Sequence, residues 1–236
     1  MEKQEKIVEM FNEIAPTYDK ANRVISFGVD VSWRKKAVRA VLKKFKNQNI
    51  KIVDVACGTG DMMGTWANLA GDFSVKIDEI IGVDPSTGML EVAKEKFKDF
   101  KFITASATET TLSSGSADIL SISYGIRNVV ELDKALVEFN RVLKIGGYLV
   151  VLEFTKSSKK SLVFRARDFY VNKILPSLGG FVSKNKEAYE YLPNSIGNFL
   201  DTAEFKQKLE NSGFEVEISK GFSFDVTTLF VAKKVR

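Results

Sequence analysis

Histidine is absent from the whole chain and cysteine occurs once, at Cys57. The first absence removes the side chain that most often serves as general base, metal ligand or partner to a nucleophilic Ser or Cys. The second excludes an internal disulfide and a cysteine cluster for a metal. Cys57 is read as a small residue packed in a turn, and no metal is expected, with carboxylate-bound magnesium the form left open. No stretch approaches the roughly 18 apolar residues of a membrane span. The start, MEKQEKIVEMFNEIA, is charged and helical in pattern, unlike a secretory signal. A cytoplasmic protein is expected.

What is there suffices for one sizeable core: 236 residues, 44% of them hydrophobic, read as a single domain over 1–236. The net charge of +5 is uneven, because Arg34 to Lys46 holds seven Lys or Arg and no acid. Such a run is ordinarily the solvated face of an amphipathic helix. The alternative is attraction to an anionic membrane surface. Nucleic acid is disfavoured, since no recognition motif accompanies the run.

Short β-rich runs alternate with helical patterns after residue 50. The runs are 51–56, 78–84, 100–106, 117–123, 148–154, 214–222 and 225–234. Leu132, Leu136, Phe139 and Leu143 share one helical face, as do Met89, Leu90, Ala93 and Phe97. Near-continuous apolar strands between amphipathic helices predict an α/β fold: a Rossmann-like, seven-stranded, mostly parallel sheet with helices on both faces. The turn at Ser223 and Phe224 is too short for a crossover helix, so the last two strands should form an antiparallel hairpin. Residues 1–48 read as an N-terminal helical cap, with helices near 2–15 and 31–46, the second burying Val38, Val41, Leu42 and Phe45. Residues 161–200 read as a helical insertion over the sheet's carboxyl edge, where open α/β sheets bind ligands.

The first strand ends in IVDVACGTGD, residues 52–61. A Gly-rich turn between strand and helix holds a nucleotide phosphate, a dinucleotide pyrophosphate or S-adenosylmethionine, or is simply a tight turn. No Lys-Ser/Thr pair and no third Gly follow. Asp54 and Asp61 flank Gly58, Thr59 and Gly60, and carboxylates there repel a polyphosphate but suit a ligand with a sulfonium and an ammonium. Asp84 ends the second strand, where an acid accepts from ribose hydroxyls.

With VDVACGTGD, IIGVDPSTGML and LKIGGYLVVLEF in this order, the chain resembles the class I S-adenosylmethionine-dependent methyltransferases. YDKANRVISFGVDVSWRKK (18–36), SYGIRNV (123–129) and AYEYLPNSIGNF (188–199) make it similar, over nearly its whole length, to the ubiquinone/menaquinone biosynthesis C-methyltransferase family. The resemblance implies S-adenosylmethionine as cofactor and C-methylation of a prenylated quinol, most directly demethylmenaquinol. It places Thr59, Asp84, Ser106, Ala107 and Ser123 on cofactor-contacting positions. Position 106 usually carries Asn or Asp there; the shorter Ser106 leaves adenine to backbone or water, with a modest change in cofactor affinity.

A neutral quinone is a poor carbon nucleophile, whereas a deprotonated quinol pushes electron density onto the adjacent ring carbon. The implied reaction therefore needs a cation beside the ring oxygen. Arg127, after the fourth strand, is assigned that role and Asn128 orients it; a structural salt bridge is the competing account. Guanidinium stays protonated, so Arg127 is not expected to be the base unaided. Tyr189, with Tyr18, Asp19 and Tyr191, is placed to close over a flat apolar ring. A prenyl tail implies peripheral contact with the inner face of the cell membrane, and a homodimer stays open. Competing functions are methylation of another small molecule or RNA, or a non-catalytic S-adenosylmethionine-binding module.

Overall fold

The computed structural model describes residues 2–156, 169–174 and 185–236. Its strands are β1 (Asn49–Val55), β2 (Lys76–Asp84), β3 (Lys101–Thr104), β4 (Ala117–Ser123), β5 (Leu143–Glu153), β6 (Phe214–Phe222) and β7 (Thr227–Lys234). They form one seven-stranded sheet in the order β3-β2-β1-β4-β5-β7-β6. The first five pair in parallel, and β7 lies antiparallel between β5 and β6. The expected hairpin is present, and its second strand is the one that docks on β5.

The helices are α1 (Glu2–Ile14), α2 (Tyr18–Ile25), α3 (Val29–Leu42), α4 (Asp61–Ala70), α5 (Thr87–Lys96), α6 (Leu132–Val142), α7 (Lys186–Gly197) and α8 (Thr202–Asn211). Local chemistry sets their starts. Ser86 caps α5 by accepting from the Met89 amide, and Asp201 with Glu204 forms a reciprocal capping box on α8. Gly60, at φ 84, turns the chain into α4. Among the described residues no helix is long and apolar enough to cross a membrane.

Two expectations are corrected, and a third is only partly covered. The cap contains α2, which has no counterpart in the periodicity reading, and α3 begins at Val29 because left-handed Gly28 (φ 74) launches it. Leu143 belongs to β5, where it pairs with Ala117, and not to the face of α6; Gly146 (φ 80) and a register shift then carry the strand onward. The insertion over 161–200 falls partly outside the described residues, which retain a helical turn Tyr170–Ile174 and α7.

One apolar core lies between the sheet and α3 and α4, around Val38, Leu42, Trp66, Ile52 and Val150. A second lies between the sheet and α6 and α8, around Leu136, Phe139, Phe205 and Phe230. A third joins the cap to the sheet edge through Ile14, Ala21, Ile25, Met89, Leu192 and Ile196. The basic run divides across this arrangement: Arg34 is buried, Lys44 pairs with Glu217, and the run's C-terminal lysines lead into the start of β1, at the end of the sheet away from the crevice.

Strand order reverses at β1, with β2 on one side and β4 on the other. The residues leaving the two strands, Ala56 (φ 49) and Tyr124 (φ 60), are both left-handed non-glycines, a costly conformation that tends to persist at functional sites. A Cβ on Gly125 would stand 2.5 Å from that of Ala56, so the two loops meet at van der Waals contact. Gly125→Ala should cost about 1–3 kcal/mol in denaturant unfolding. Gly71→Ala, at φ −59 with nothing within 4 Å, should be neutral or stabilising.

Candidate active site

The crevice at the reversal holds a cavity of about 360 Å³, within the range of small-ligand sites. Its floor is the ends of β1, β2 and β4, its roof one face of α1. Gly58, Asp84, Ser106, Ala107, Ser123, Asn128 and Tyr18 from the sequence reading all line it. Its roof was not foreseen: Gln4, Ile7 and Phe11 point into it. Asn12 holds the roof down, its side-chain oxygen accepting from the Ser86 hydroxyl (2.7 Å) and the Gly88 amide (3.0 Å), while Gln4 Oε1 accepts from the Val130 amide at 3.0 Å. Only the amphipathic pattern of the first helix signalled a face to bury.

Asp84 is 7% exposed and accepts from the Gly58 and Ser86 amides, each at 2.8 Å. Burial pushes its pKa up to about 6, with the two amides tempering the shift. The Ser123 hydroxyl is buried without a partner. Nothing lies within 4 Å of where a Cβ of Gly58 would point. The cavity's described lining contains Glu5, Asp84 and Glu131 but neither Lys nor Arg. A polyphosphate finds no counter-charge there; a nucleoside carrying a cationic chain finds an acceptor for its ribose and negative potential for its charge. These residues fit S-adenosylmethionine.

Other expected contacts lie elsewhere. Asp54 is buried between β1 and β4, accepting from the Ser121 hydroxyl at 2.5 Å, with Trp66 Nε1 on the same hydroxyl at 3.1 Å. It does not reach the cavity. Burial raises its pKa to about 7, against the pull of Ser121 and Arg34. Thr59 donates to Asp19 at 2.5 Å, and Gly60 packs under the Phe97 ring; neither lines the cavity. Asp61 faces Lys96 (2.8 Å), Arg23 and Arg34. Burial pushes its carboxyl up, but Arg34, Lys96 and Arg23 outweigh that and hold it below the usual range. Asp61 thus fastens the cap to the turn, since Lys96 also pairs with Asp19 (2.7 Å), and Arg23 and Arg34 both pair with Asp30.

A second, smaller cavity of about 60 Å³ adjoins the first, and Tyr18 and Tyr124 line both. Arg127 lines only the second. Its guanidinium donates to Glu153 and to the Tyr124 carbonyl, each at 2.6 Å, and its Nε donates to the Ser195 hydroxyl at 3.2 Å. Glu153 is wholly buried; burial raises its pKa against the pull of Arg127. Arg127 is therefore a cation with a fixed counter-ion at a cavity wall, a geometry that combines both accounts given above. Asn128 accepts from the Tyr191 hydroxyl at 3.2 Å. The Tyr189 side chain lies outside the described residues.

The chain is similar to known proteins over almost its whole length. The family model described as the ubiE/COQ5 methyltransferase family matches residues 1–234. A Campylobacter jejuni protein named ubiquinone/menaquinone biosynthesis C-methyltransferase UbiE is 59% identical over 235 residues, covering 100% of both chains. A demethylmenaquinone methyltransferase of Bacteroides fragilis is 37% identical, covering 98% of this chain and 94% of its own. Among solved structures, a SAM-dependent methyltransferase of Thermotoga maritima superposes with a TM-score of 0.64 at 22% identity over 96% of this chain and 98% of its own, a likeness of fold.

Acids with raised pKa values favour their protonated form, so Asp84 and Asp54 contribute stability at low pH that is lost as pH rises from about 4 toward 6 and 7. A cationic, ribose-bearing ligand favours the ionised form. Affinity for S-adenosylmethionine should be about tenfold weaker at pH 5 than at pH 8, and Asp84→Asn should weaken it and flatten the dependence. Calorimetric affinities that stay level from pH 5 to 8 would contradict this. The family model's match to residues 1–234 and the 59% identity to a relative over its full length, on a seven-stranded sheet with a cavity at its switch point, lead to one assignment: the chain belongs to the ubiE/COQ5 methyltransferase family.

Proposed function

We propose that the chain methylates a ring carbon of a prenylated quinol, demethylmenaquinol first and a related benzoquinol second. The reading is carried by the two adjoining cavities with Tyr18 and Tyr124 as their common wall. S-adenosylmethionine, when bound, supplies a methyl group on a sulfonium. The first cavity holds the nucleoside through Asp84 and the backbone around Gly58. The second has features that suit an electron-rich ring: aromatic walls and two guanidinium groups, Arg34 and Arg127.

Arg127 acts by electrostatics. A ring hydroxyl beside it loses its proton more readily, because the anion is formed next to a charge that needs no reorganisation. Glu153 and the Tyr124 carbonyl hold the guanidinium in place, and Asn128, held by Tyr191, sits on the side of the first cavity. The names of relatives that methylate demethylmenaquinone support the substrate class.

Incubation with S-adenosylmethionine and a short-tail demethylmenaquinol should give a one-methyl mass gain on the ring when the substrate is reduced and none when it is oxidised. Equal turnover of both forms would remove the quinol anion from the mechanism. Arg127→Ala should abolish turnover and, by stranding buried Glu153, cost about 3–5 kcal/mol of stability. Arg127→Met with Glu153→Gln should recover most of that stability, with near-normal S-adenosylhomocysteine binding but no recovery of turnover. An active double variant would show that the Arg127 charge is dispensable.

A further inference from the structure

Buried polar atoms without partners are rare in folded proteins, and each needs an account. Among the described residues there are five: Arg34 Nε, Ser116 Oγ, Ser123 Oγ, Tyr124 Oη and Thr227 Oγ1. Ser123 belongs to the nucleoside cavity already described. Arg34, Tyr124 and Thr227 gather at the second cavity: Arg34 and Tyr124 line it, and so does Val226, the neighbour of Thr227 in the chain.

Arg34 and Thr227 both adjoin Tyr124. The Arg34 guanidinium carbon stands 5.6 Å from the centre of the Tyr124 ring. Thr227 stands beside the Tyr124 phenol and its hydroxyl tempers the rise that burial imposes there, but the pair's geometry falls short of a well-formed hydrogen bond. The Tyr124 ring packs on Phe154 at 4.9 Å, and the Arg127 guanidinium lies 5.3 Å over the far ring. Arg34, Tyr124, Phe154 and Arg127 thus form a stack with a guanidinium at each end and two rings between. Each guanidinium has a buried carboxylate partner, Asp30 for Arg34 and Glu153 for Arg127. The left-handed backbone of Tyr124 is retained at this point in spite of its cost.

We propose that Arg34, Tyr124 and Thr227 form a second oxygen site, which takes one oxygen of a two-oxygen aromatic acceptor while Arg127 faces the other. The inference rests on the quinol reading and adds to it the residues that recognise the second oxygen. The donors suit either a hydroxyl or an oxyanion, since Arg34 can only donate and the two hydroxyls can donate or accept. At about 60 Å³ the cavity takes an oxygen and the adjoining ring edge. The outer wall, Tyr170 and Leu192, must yield for a whole bicyclic ring.

The test separates this site from turnover. Binding of 1,4-dihydroxynaphthalene and of 1-hydroxynaphthalene is measured by calorimetry, anaerobically and with S-adenosylhomocysteine present, on the wild type, Tyr124→Phe and Thr227→Val. The wild type should prefer the diol about tenfold, the worth of one well-made hydrogen bond. In each variant that preference should fall to about twofold or less, because the partner of the second oxygen is gone. The thermal midpoint of Tyr124→Phe should hold or rise, since an unpartnered buried hydroxyl is removed; a purely structural hydroxyl would lower it. A preference that survives in Tyr124→Phe, or that the wild type never shows, overturns the inference. A preference lost as described, in a protein that does not methylate reduced demethylmenaquinol, would uphold the oxygen site and overturn the substrate assignment.

Discussion

The reversal of strand order at β1 is the constraint on which the rest of this molecule depends. Two parallel strands that leave in opposite directions must part at their carboxyl ends, and here they part through left-handed Ala56 and Tyr124, with Gly125 closing the gap behind them. The backbone cost is met by two apolar cores, one on each face of the sheet. Everything with chemistry hangs on that crevice. Gly58 turns toward one side of it, Asp84 closes its far wall, and the loop through Arg127 leaves from its near wall.

Charge is distributed around the crevice in two ways. The described lining of the nucleoside cavity holds carboxylates and neither Lys nor Arg, which leaves the region poised for a positive ligand, and burial raises the pKa of Asp84. The adjoining cavity has guanidinium groups whose buried counter-ions hold them in position. A wall of two tyrosines separates these opposite fields. The chain has no histidine, and the charges that it holds at this crevice are carboxylates and guanidinium groups, the latter permanently protonated.

Much of this was legible in the sequence, for definable reasons. Parallel strands buried on both faces are nearly continuous apolar runs, so five parallel strands and the terminal hairpin were readable, with the error concentrated where Gly146 bends β5. Strand ends marked by Gly or Asp located Gly58 and Asp84. The side chains that were misplaced are those whose direction is set by tertiary packing. Asp54 sits one pleat from the turn, and alternation along a strand decides whether it faces the ligand or Ser121. Arg34 opens a basic run that looks solvated, yet Asp30 one turn earlier draws it inward. The roof of α1 could not be read, because nothing local in Gln4 or Asn12 announces the loops that they grip. The short helix α2 is only eight residues long and strongly polar, too brief for periodicity to stand out.

The clasp that joins the cap to the glycine turn also bears on the order in which the molecule is assembled. Its ion pairs connect Asp19 with Lys96, and Arg23 and Arg34 with Asp61, while Asp30 pairs with both arginines inside the cap. Those partners exist as neighbours only after α4 and α5 have packed on the first two strands. Contacts of such long sequence separation form late and, being partly exposed, open first. Within the cap, α3 is locked into the main core on the sheet, whereas α1 and α2 meet the rest through the smaller third core and this clasp, so they are the part that opens most readily. Release of the Asp19 and Arg23 pairs would loosen α1 and α2 over the cavity and leave α3 and the hydrogen-bonded ladder beneath it packed.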